Sequence, residues 1–222
     1  MPVLKLNDTL LEFPLFQGMG HEELSMLISR TKLEFIKLQK ESETVRKDSH
    51  DNKLLLLING KLRAITYSTD KAYSLTESIP SPYIIEPERL FGLHQKSTST
   101  FIAETEANII AIDKTEVARL FDTFVAFRLN IINLLATEVQ QRMDELWQTP
   151  PVDLRDRIVR FIKSRCLINH GHKILNILME RLAAEVNDSR LDVSHVLRAM
   201  RDDGMIETGR GRIVVAEIEK LK

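Results

Sequence analysis

The chain has 222 residues, 43% of them hydrophobic and 28% charged, with a formal net charge of −1. That length buries a sizeable core and that balance excludes disorder as the main state. The near-neutral total also excludes a purely electrostatic coat for a polyanion. Charge is uneven, however: residues 150–222 hold 14 Lys and Arg against 11 Asp and Glu, and residues 1–149 hold 17 against 21. The C-terminal third is therefore the better match for a polyanionic partner. A lone cysteine, Cys166, excludes an intrachain disulfide and an all-cysteine iron–sulfur or zinc site. No charged-then-apolar leader opens the chain, and no apolar run approaches the roughly 18 residues of a membrane helix. The expectation is a cytoplasmic protein without a membrane partner.

In chain order, PLFQGMGHEELSMLISR (14–30) predicts a turn and then a helix. Glu22 and Glu23 sit where the helix dipole favours anions, and Leu24, Leu27 and Ile28 share a face. Gly18-Met19-Gly20 is a lone G-x-G with no preceding strand, and G-x-x-x-x-G-K-[ST] does not occur, so neither a dinucleotide fold nor a P-loop is expected. Residues 33–112 alternate short apolar stretches (LEFIKL, KLLLLI, KLRAITY, YSLTE, STFIAETEANIIAI) with turn-rich pieces such as RKDSHD and IPSP. This spacing predicts an antiparallel β barrel or sandwich. Asn59-Gly60 predicts a hairpin, because both residues accept positive φ.

From about residue 115 the period lengthens to that of a helix roughly 25 residues long. Val125, Ile132, Val139 and Leu146 fall seven apart, with Phe121 and Leu135 on the intervening d positions and Arg128 and Arg142 weakening that seam. Phe124, Phe127, Ile131 and Leu134 form a second stripe. Two stripes cover two surfaces: one suits the β domain, and the heptad seam suits a second copy of the chain in a homodimer. Pro150-Pro151 ends the helix and marks a domain boundary. Asp153 then offers an N-cap to LRDRIVRFIKSRC, whose Leu154, Ile158, Phe161 and Ile162 share one face. INHGHK follows as a polar turn.

The remaining stretch, ILMERLAAEV, then NDS, then RLDVSHVLRAMRDDG, predicts two helices joined by a three-residue link, a helix-turn-helix pattern. Asn187 suits a left-handed turn, and Ser189 with Asp192 three residues on suits a capping box. Val193, Val196, Leu197 and Met200 form the inward stripe. The opposite face carries Leu191, Ser194, His195 and Arg198, flanked by Arg190 and Arg201. Arg forks onto guanine or phosphate, Ser and His hydrogen-bond base edges, and Leu touches a thymine methyl. Gly204 stops the helix, and MIETGRGRIVV folds back as a wing with Arg210 and Arg212 at its tip, placed to hold phosphates. The expected partner is double-stranded DNA.

The succession of PLFQGMGHEEL, LLLLINGKL, ANIIAIDKTEVARLF and the module at 178–215 resembles the Crp/Fnr family of bacterial transcription regulators along nearly the whole chain. The resemblance implies an α+β protein: a double-stranded β-helix, jelly-roll-like sensor domain over 1–114, a long dimerisation helix and hinge over 115–149, and a winged helix-turn-helix over 150–222. It implies a dimer interface at Val125, Ile132, Leu135, Val139 and Leu146, a recognition helix in the major groove of a palindromic operator, and RNA polymerase as a candidate partner. The family's main base-reading positions fall on Arg190, Leu191 and His195, with Ser189, Ser194, Arg198, Arg210 and Arg212 completing the DNA-binding set. The family's nucleotide cassette matches FGLHQKSTSTF, where Gly92 remains but Leu93 stands in place of the ribose-binding Glu. Ser97 and Thr98 occupy the Arg-Ser positions, and the insert is shorter. Without that Arg a buried phosphate lacks its bidentate partner, so the sensor is expected to refuse cyclic nucleotides and to answer another small-molecule effector, if any.

Other residues read as structural. His94, beside the degenerate cassette, reads as a surface or satisfied polar residue rather than a ligand or haem contact, and His170 and His172, two apart in a loop, have no carboxylate or thiol partner nearby in sequence, so no metal is expected. Cys166 lies on an apolar helix face and reads as packing. Glu77, Glu86 and Glu88 make no acid–base pair, no catalytic residue stands out, and neither an enzyme nor a cofactor is expected. The alternatives are a small-molecule sensor whose winged helix makes protein contacts, and an enzyme with a winged-helix dimerisation module, against which the absent Gly-rich nucleotide loop argues.

Overall fold

The computed structural model describes residues 3–50 and 52–221. Two compact units divide the chain. One comprises Met1–Leu62, Pro80–Ser97 and Ile102–Leu146, and the other Arg63–Ile79, Thr98–Phe101 and Trp147–Lys222.

The first unit opens with α1 (Val3–Leu11), a 3-10 turn at Pro14–Phe16 and α2 (His21–Arg30). Glu23 closes the start of α2 by accepting the Gly20 N–H at 3.0 Å. The strands β1 (Leu33–Leu38), β3 (Lys53–Asn59), β6 (Tyr83–Ile85) and β8 (Ala107–Asp113) form an antiparallel sheet in the order β1-β8-β3-β6, and β2 (Glu43–Val45) is a short strand beside them in the chain. Leu54, Leu56, Ile110 and Ile112 of this sheet share a core with Leu24 and Leu27 of α2 and with Phe13, Leu15 and Phe16. The continuous apolar runs of β3 and β8 are buried on both faces, which is why neither alternates.

The Asn59-Gly60 hairpin is corrected: β3 and β4 (Lys61–Tyr67) pair with different neighbours and lie in different sheets. Gly60, at φ +91°, turns the corner of a β sandwich. A Cβ there would stand 2.4 Å from the Glu106 carbonyl oxygen, so the position requires glycine for space as well as for its dihedral.

After β8 come α4 (Lys114–Thr123) and α5 (Val125–Trp147). The expected single helix is bent by 117° at the break, where Phe124 is extended (φ −121°, ψ 103°). Phe121 therefore belongs to α4 and is removed from the heptad of α5. It packs instead in an aromatic cluster, its ring centroid 5.9 Å from Phe127, which in turn lies 5.5 Å from Phe16. Asn130 adds two bonds from its amide, to the Leu15 and Gln17 carbonyls at 3.0 and 2.8 Å. No single helix among the described residues is long and apolar enough to cross a membrane.

The second unit contains α6 (Leu154–Lys163), β9 (Lys173–Ile177), α7 (Met179–Val186), α8 (Arg190–Asp202), β10 (Glu207–Gly209) and β11 (Arg212–Val215). All four apolar residues predicted for one face of α6 are buried; Asp153 takes the N-cap position but makes no side-chain cap bond. Strand β9 is missed by the sequence reading, which begins a helix at Ile177. It pairs with β11 on one side and with β5 (Tyr73–Pro80) on the other, so strands run β10-β11-β9-β5-β4-β7-β2, where β7 is Ser99–Ala103. Leu75 of β5 joins one core with Ile158, Phe161, Leu182, Val193, Leu197, Met200 and Ile213.

Candidate nucleic-acid interface

The turn between α7 and α8 is set by local chemistry. Asn187 is left-handed (φ 52°, ψ 58°) and closes α7 through its N–H on Ala183 and Ala184 carbonyls. Ser189 Oγ accepts the Asp192 N–H at 3.1 Å and donates to the Asp192 carboxylate at 2.6 Å. The hydroxyl of Ser189 is thus engaged in the cap. Arg157 of α6 fixes the same turn from below, donating to the Val186 carbonyl (3.1 Å), to the Val152 carbonyl (2.7 Å) and to the Asp188 carboxylate. This arginine is absent from the sequence reading; its only signal there is its position on the polar side of α6.

Val193, Leu197 and Met200 of α8 are buried, and Val196 packs against their core. On the other side Arg190, Leu191, His195 and Arg198 are exposed and Ser194 is half-buried. Leu191 is 66% exposed, a large apolar side chain held in water at the first turn. Arg190 pairs with Glu180 at 3.5 Å across open solvent, a bond worth about 0–1 kcal/mol that a phosphate or base edge displaces at small cost. Gly204 (φ +72°) ends α8 in a Schellman motif, with the Met205 N–H on the Met200 carbonyl and the Gly204 N–H on the Arg201 carbonyl. The wing follows: Gly209 opposes Arg212, so Arg210 and left-handed Gly211 form the tip, and both Arg210 and Arg212 are exposed.

On α5 the two stripes separate. Phe127 and Ile131 are buried and Leu134 and Leu135 half-buried, whereas Val125, Ile132, Val139 and Leu146 are 57%, 54%, 60% and 75% exposed. Leu129 and Met143 widen the exposed apolar strip.

The cassette residues do not converge. Leu93 is fully exposed and Thr98 is exposed, while Gly92 sits at the end of α3 (Pro87–Phe91), where a Cβ would meet the Glu88 carbonyl oxygen at 2.7 Å. Ser97 is buried and lines a cavity of about 30 Å³ with Ser49, Lys53, Glu86, Arg89 and Gln95. That volume holds one or two water molecules. Arg89, which the sequence reading passes over, donates to the His94 carbonyl at 3.1 Å and lies 3.4 Å from Glu88.

No group of three or more His, Cys, Asp or Glu among the described residues is arranged to hold a metal. Cys166 is buried and donates to the Ile162 carbonyl; burial, then the Glu77 charge, push its thiol up to about 12, so it stays protonated and inert. Glu77, which shows no partner in sequence, makes a fully buried ion pair with Lys173 at 2.9 Å.

Comparison with known proteins agrees with this geometry. The Crp-like helix-turn-helix domain family matches residues 156–222. No curated protein matches the chain by sequence. The fold is similar to that of the catabolite activator protein of Thermus thermophilus (20% identity, 91% of this chain and 93% of that one, TM-score 0.54). It is also similar to a putative transcriptional regulator of the Crp/Fnr family from Eubacterium rectale (19% identity, 94% and 96%, TM-score 0.53). The sensor domain of the transcriptional regulator DNR from Pseudomonas aeruginosa matches 66% of this chain and 96% of its own length, at 16% identity and a TM-score of 0.54. Residues 156–222 thus form a Crp-like helix-turn-helix domain, in a chain whose fold is that of Crp/Fnr-type regulators.

Proposed function

We propose that this protein is a sequence-specific DNA-binding transcription regulator of the Crp/Fnr type, acting in the cytoplasm as a homodimer rather than as an enzyme. The observation that carries this reading is the outward face of α8, where Arg190, Leu191, His195 and Arg198 stand exposed on a domain of the Crp-like helix-turn-helix family. Arg190 and His195 read base edges, Leu191 meets a thymine methyl, and Ser194 and Arg198 reach bases or phosphates. Ser189 contributes by capping the helix, and Arg210 and Arg212 hold the backbone. The exposed stripe through Val125, Ile132, Val139 and Leu146, with Leu135 at its edge, packs against the same stripe of a second copy. Two reading helices then address half-sites about 10 base pairs apart, centre to centre.

Residues 1–114 serve as the sensor, 115–149 as the dimer helix and hinge, and 150–222 as the reader. The sensor does not take cyclic AMP or cyclic GMP: the cavity of about 30 Å³ is far below the 300 Å³ or more that a ligand of that size needs. Any effector at Gly92, Leu93, Ser97 and Thr98 is smaller or opens the site. Selection of bound sequences from random duplex DNA, followed by gel shifts at two salt concentrations, tests the reading. Enrichment of a palindrome supports it. Absence of any DNA binding at low salt overturns it in favour of a sensor whose winged helix contacts protein.

A further inference from the structure

Residues 63–79 are far from the C-terminal domain in sequence, yet they lie in its compact unit and supply strands to its sheet. Strand β5 pairs with β9 over five residues, Tyr73 opposite Ile177 through Glu77 opposite Lys173. β9 in turn pairs with β11, where Arg212 opposes Asn176. The ladder is pinned at the Glu77 end by a charge network. The Glu77 carboxylate receives Lys173 Nζ at 2.9 Å and the Leu167 N–H at 2.8 Å, and Lys173 also donates to the His170 carbonyl at 2.8 Å. Both side chains are essentially sealed from water, 1% and 0% exposed. Toward the other end Asn176 donates to Ser74 Oγ at 3.3 Å. Outside the ladder, Asp70 binds Arg181 of α7 at 3.0 Å and Glu185 binds both Arg181 and Arg165; Arg165 donates to the Tyr73 hydroxyl at 2.9 Å.

We propose that hairpin 63–79 is a built-in support of the wing, and that Glu77 and Lys173 are positioning residues that aim Arg210 and Arg212. A two-stranded wing alone is marginal in water, and three or more strands with a shared core are needed to hold it. Here the third strand is β9 and the fourth is β5. A buried pair fixes register because a slip of the ladder would strand a charge without its partner, and an uncompensated buried charge is strongly destabilising. The hairpin therefore has a direct path to the wing that bypasses the Pro150-Pro151 linker. The role in aiming the wing arginines at phosphates rests on the DNA-binding reading; the mechanical coupling does not.

Hydrogen exchange on the full chain separates the two. In Glu77→Gln, amides of 173–177 and of 212–215 exchange at least about tenfold faster, while those of α2 and β8 keep their rates. The double replacement Glu77→Gln with Lys173→Met restores protection, since it removes both buried charges and keeps a side-chain oxygen for the Leu167 N–H. In DNA titrations Glu77→Gln lowers the salt slope by about one for each phosphate that the wing ceases to neutralise, and the double variant recovers it. Unchanged exchange at 212–215 overturns the inference, as does a uniform rise across both units. If Glu77→Gln does not fold, Ser74→Ala decides: it removes the acceptor of the Asn176 amide inside the β5–β9 ladder, and unchanged exchange at 212–215 counts against the support role. If the wild-type chain binds no DNA, the DNA reading fails and the exchange pattern still judges the coupling.

Discussion

On α5 the residues turned inward are Phe127 and Ile131, and those turned to solvent are Val125, Leu129, Ile132, Val139 and Met143. On α8 the inward residues are Val193, Leu197 and Met200, and the outward ones Arg190, Leu191, His195 and Arg198. Both helices satisfy their own units with one stripe, so the other stripe is free to be read for its chemistry. An apolar strip in water asks for another protein surface, and the heptad spacing suits a copy of itself. A cationic and hydrogen-bonding strip beside a basic wing tip asks for a polyanion with readable edges. The difference between two outward faces therefore separates the two proposed partners, while the inward faces say nothing about either.

The largest effect expected within this comparison is on an inward residue. Phe127→Ala empties a site that is fully buried between Phe16 and Phe121 and costs about 3–5 kcal/mol. Val139→Ala on the outward stripe changes the monomer's stability by less than about 0.5 kcal/mol. Urea unfolding of both variants at concentrations that dissociate any dimer checks this; equal losses would erase the distinction between the stripes. Next in size is the pair Ile132→Glu with Val139→Glu, expected to give a folded monomer by light scattering and circular dichroism where the unmutated chain is a dimer. A monomeric unmutated chain at micromolar concentration would remove the dimer from the proposal.

For α8, Arg190→Ala is expected to weaken binding to the preferred duplex by about 1–3 kcal/mol and to relax specificity at one position per half-site. Equal weakening on random DNA would demote Arg190 to a phosphate ligand. Smaller still is Arg212→Ala, which should weaken all sequences alike and lower the salt slope by about one for each phosphate left unneutralised. The smallest effect concerns pH. Both carboxyls are raised from an ordinary value of 4.5: that of Glu88, although its side chain is 43% exposed, by partial loss of hydration, and that of Glu138 on the exposed side of α5 by the same cause and then by the Glu88 charge. The folded chain then holds these protons more tightly than the unfolded chain. Stability falls as pH rises from about 4.5 through the raised values and returns on acidification. Melting at about pH 7.5 and about pH 5 should show a larger gain on acidification in wild type than in Glu138→Gln; identical gains would show that the two carboxyls do not interact.

Where a feature depends on neighbours in the chain, the residues alone announce it. The left-handed turn at Asn187, the Ser189–Asp192 cap, the Gly204 stop and the inward stripe of α8 all appear as read, because each is decided within one or two helical turns. The stretches LEFIKL and KLRAITY become β1 and β4 with the same bounds, since period-two patterning and turn residues are local signals too. Tertiary structure alone decided which strands meet. Five residues at 173–177 are too short to outweigh the helix that follows them, and they become a strand because β5 and β11 offer ladders on both sides. The same holds for Gly60, which turns a corner between sheets because the Glu106 carbonyl lies where a side chain would be. It holds for Phe124, whose extended backbone breaks what periodicity draws as one helix and leaves Phe121 of α4 against Phe127 of α5. Glu77 and Lys173 are the extreme case: 96 positions apart in the sequence, they look like ordinary surface charges. Only the pairing of β5 with β9 takes both out of water at one point, and burial turns a marginal attraction into a fixed register.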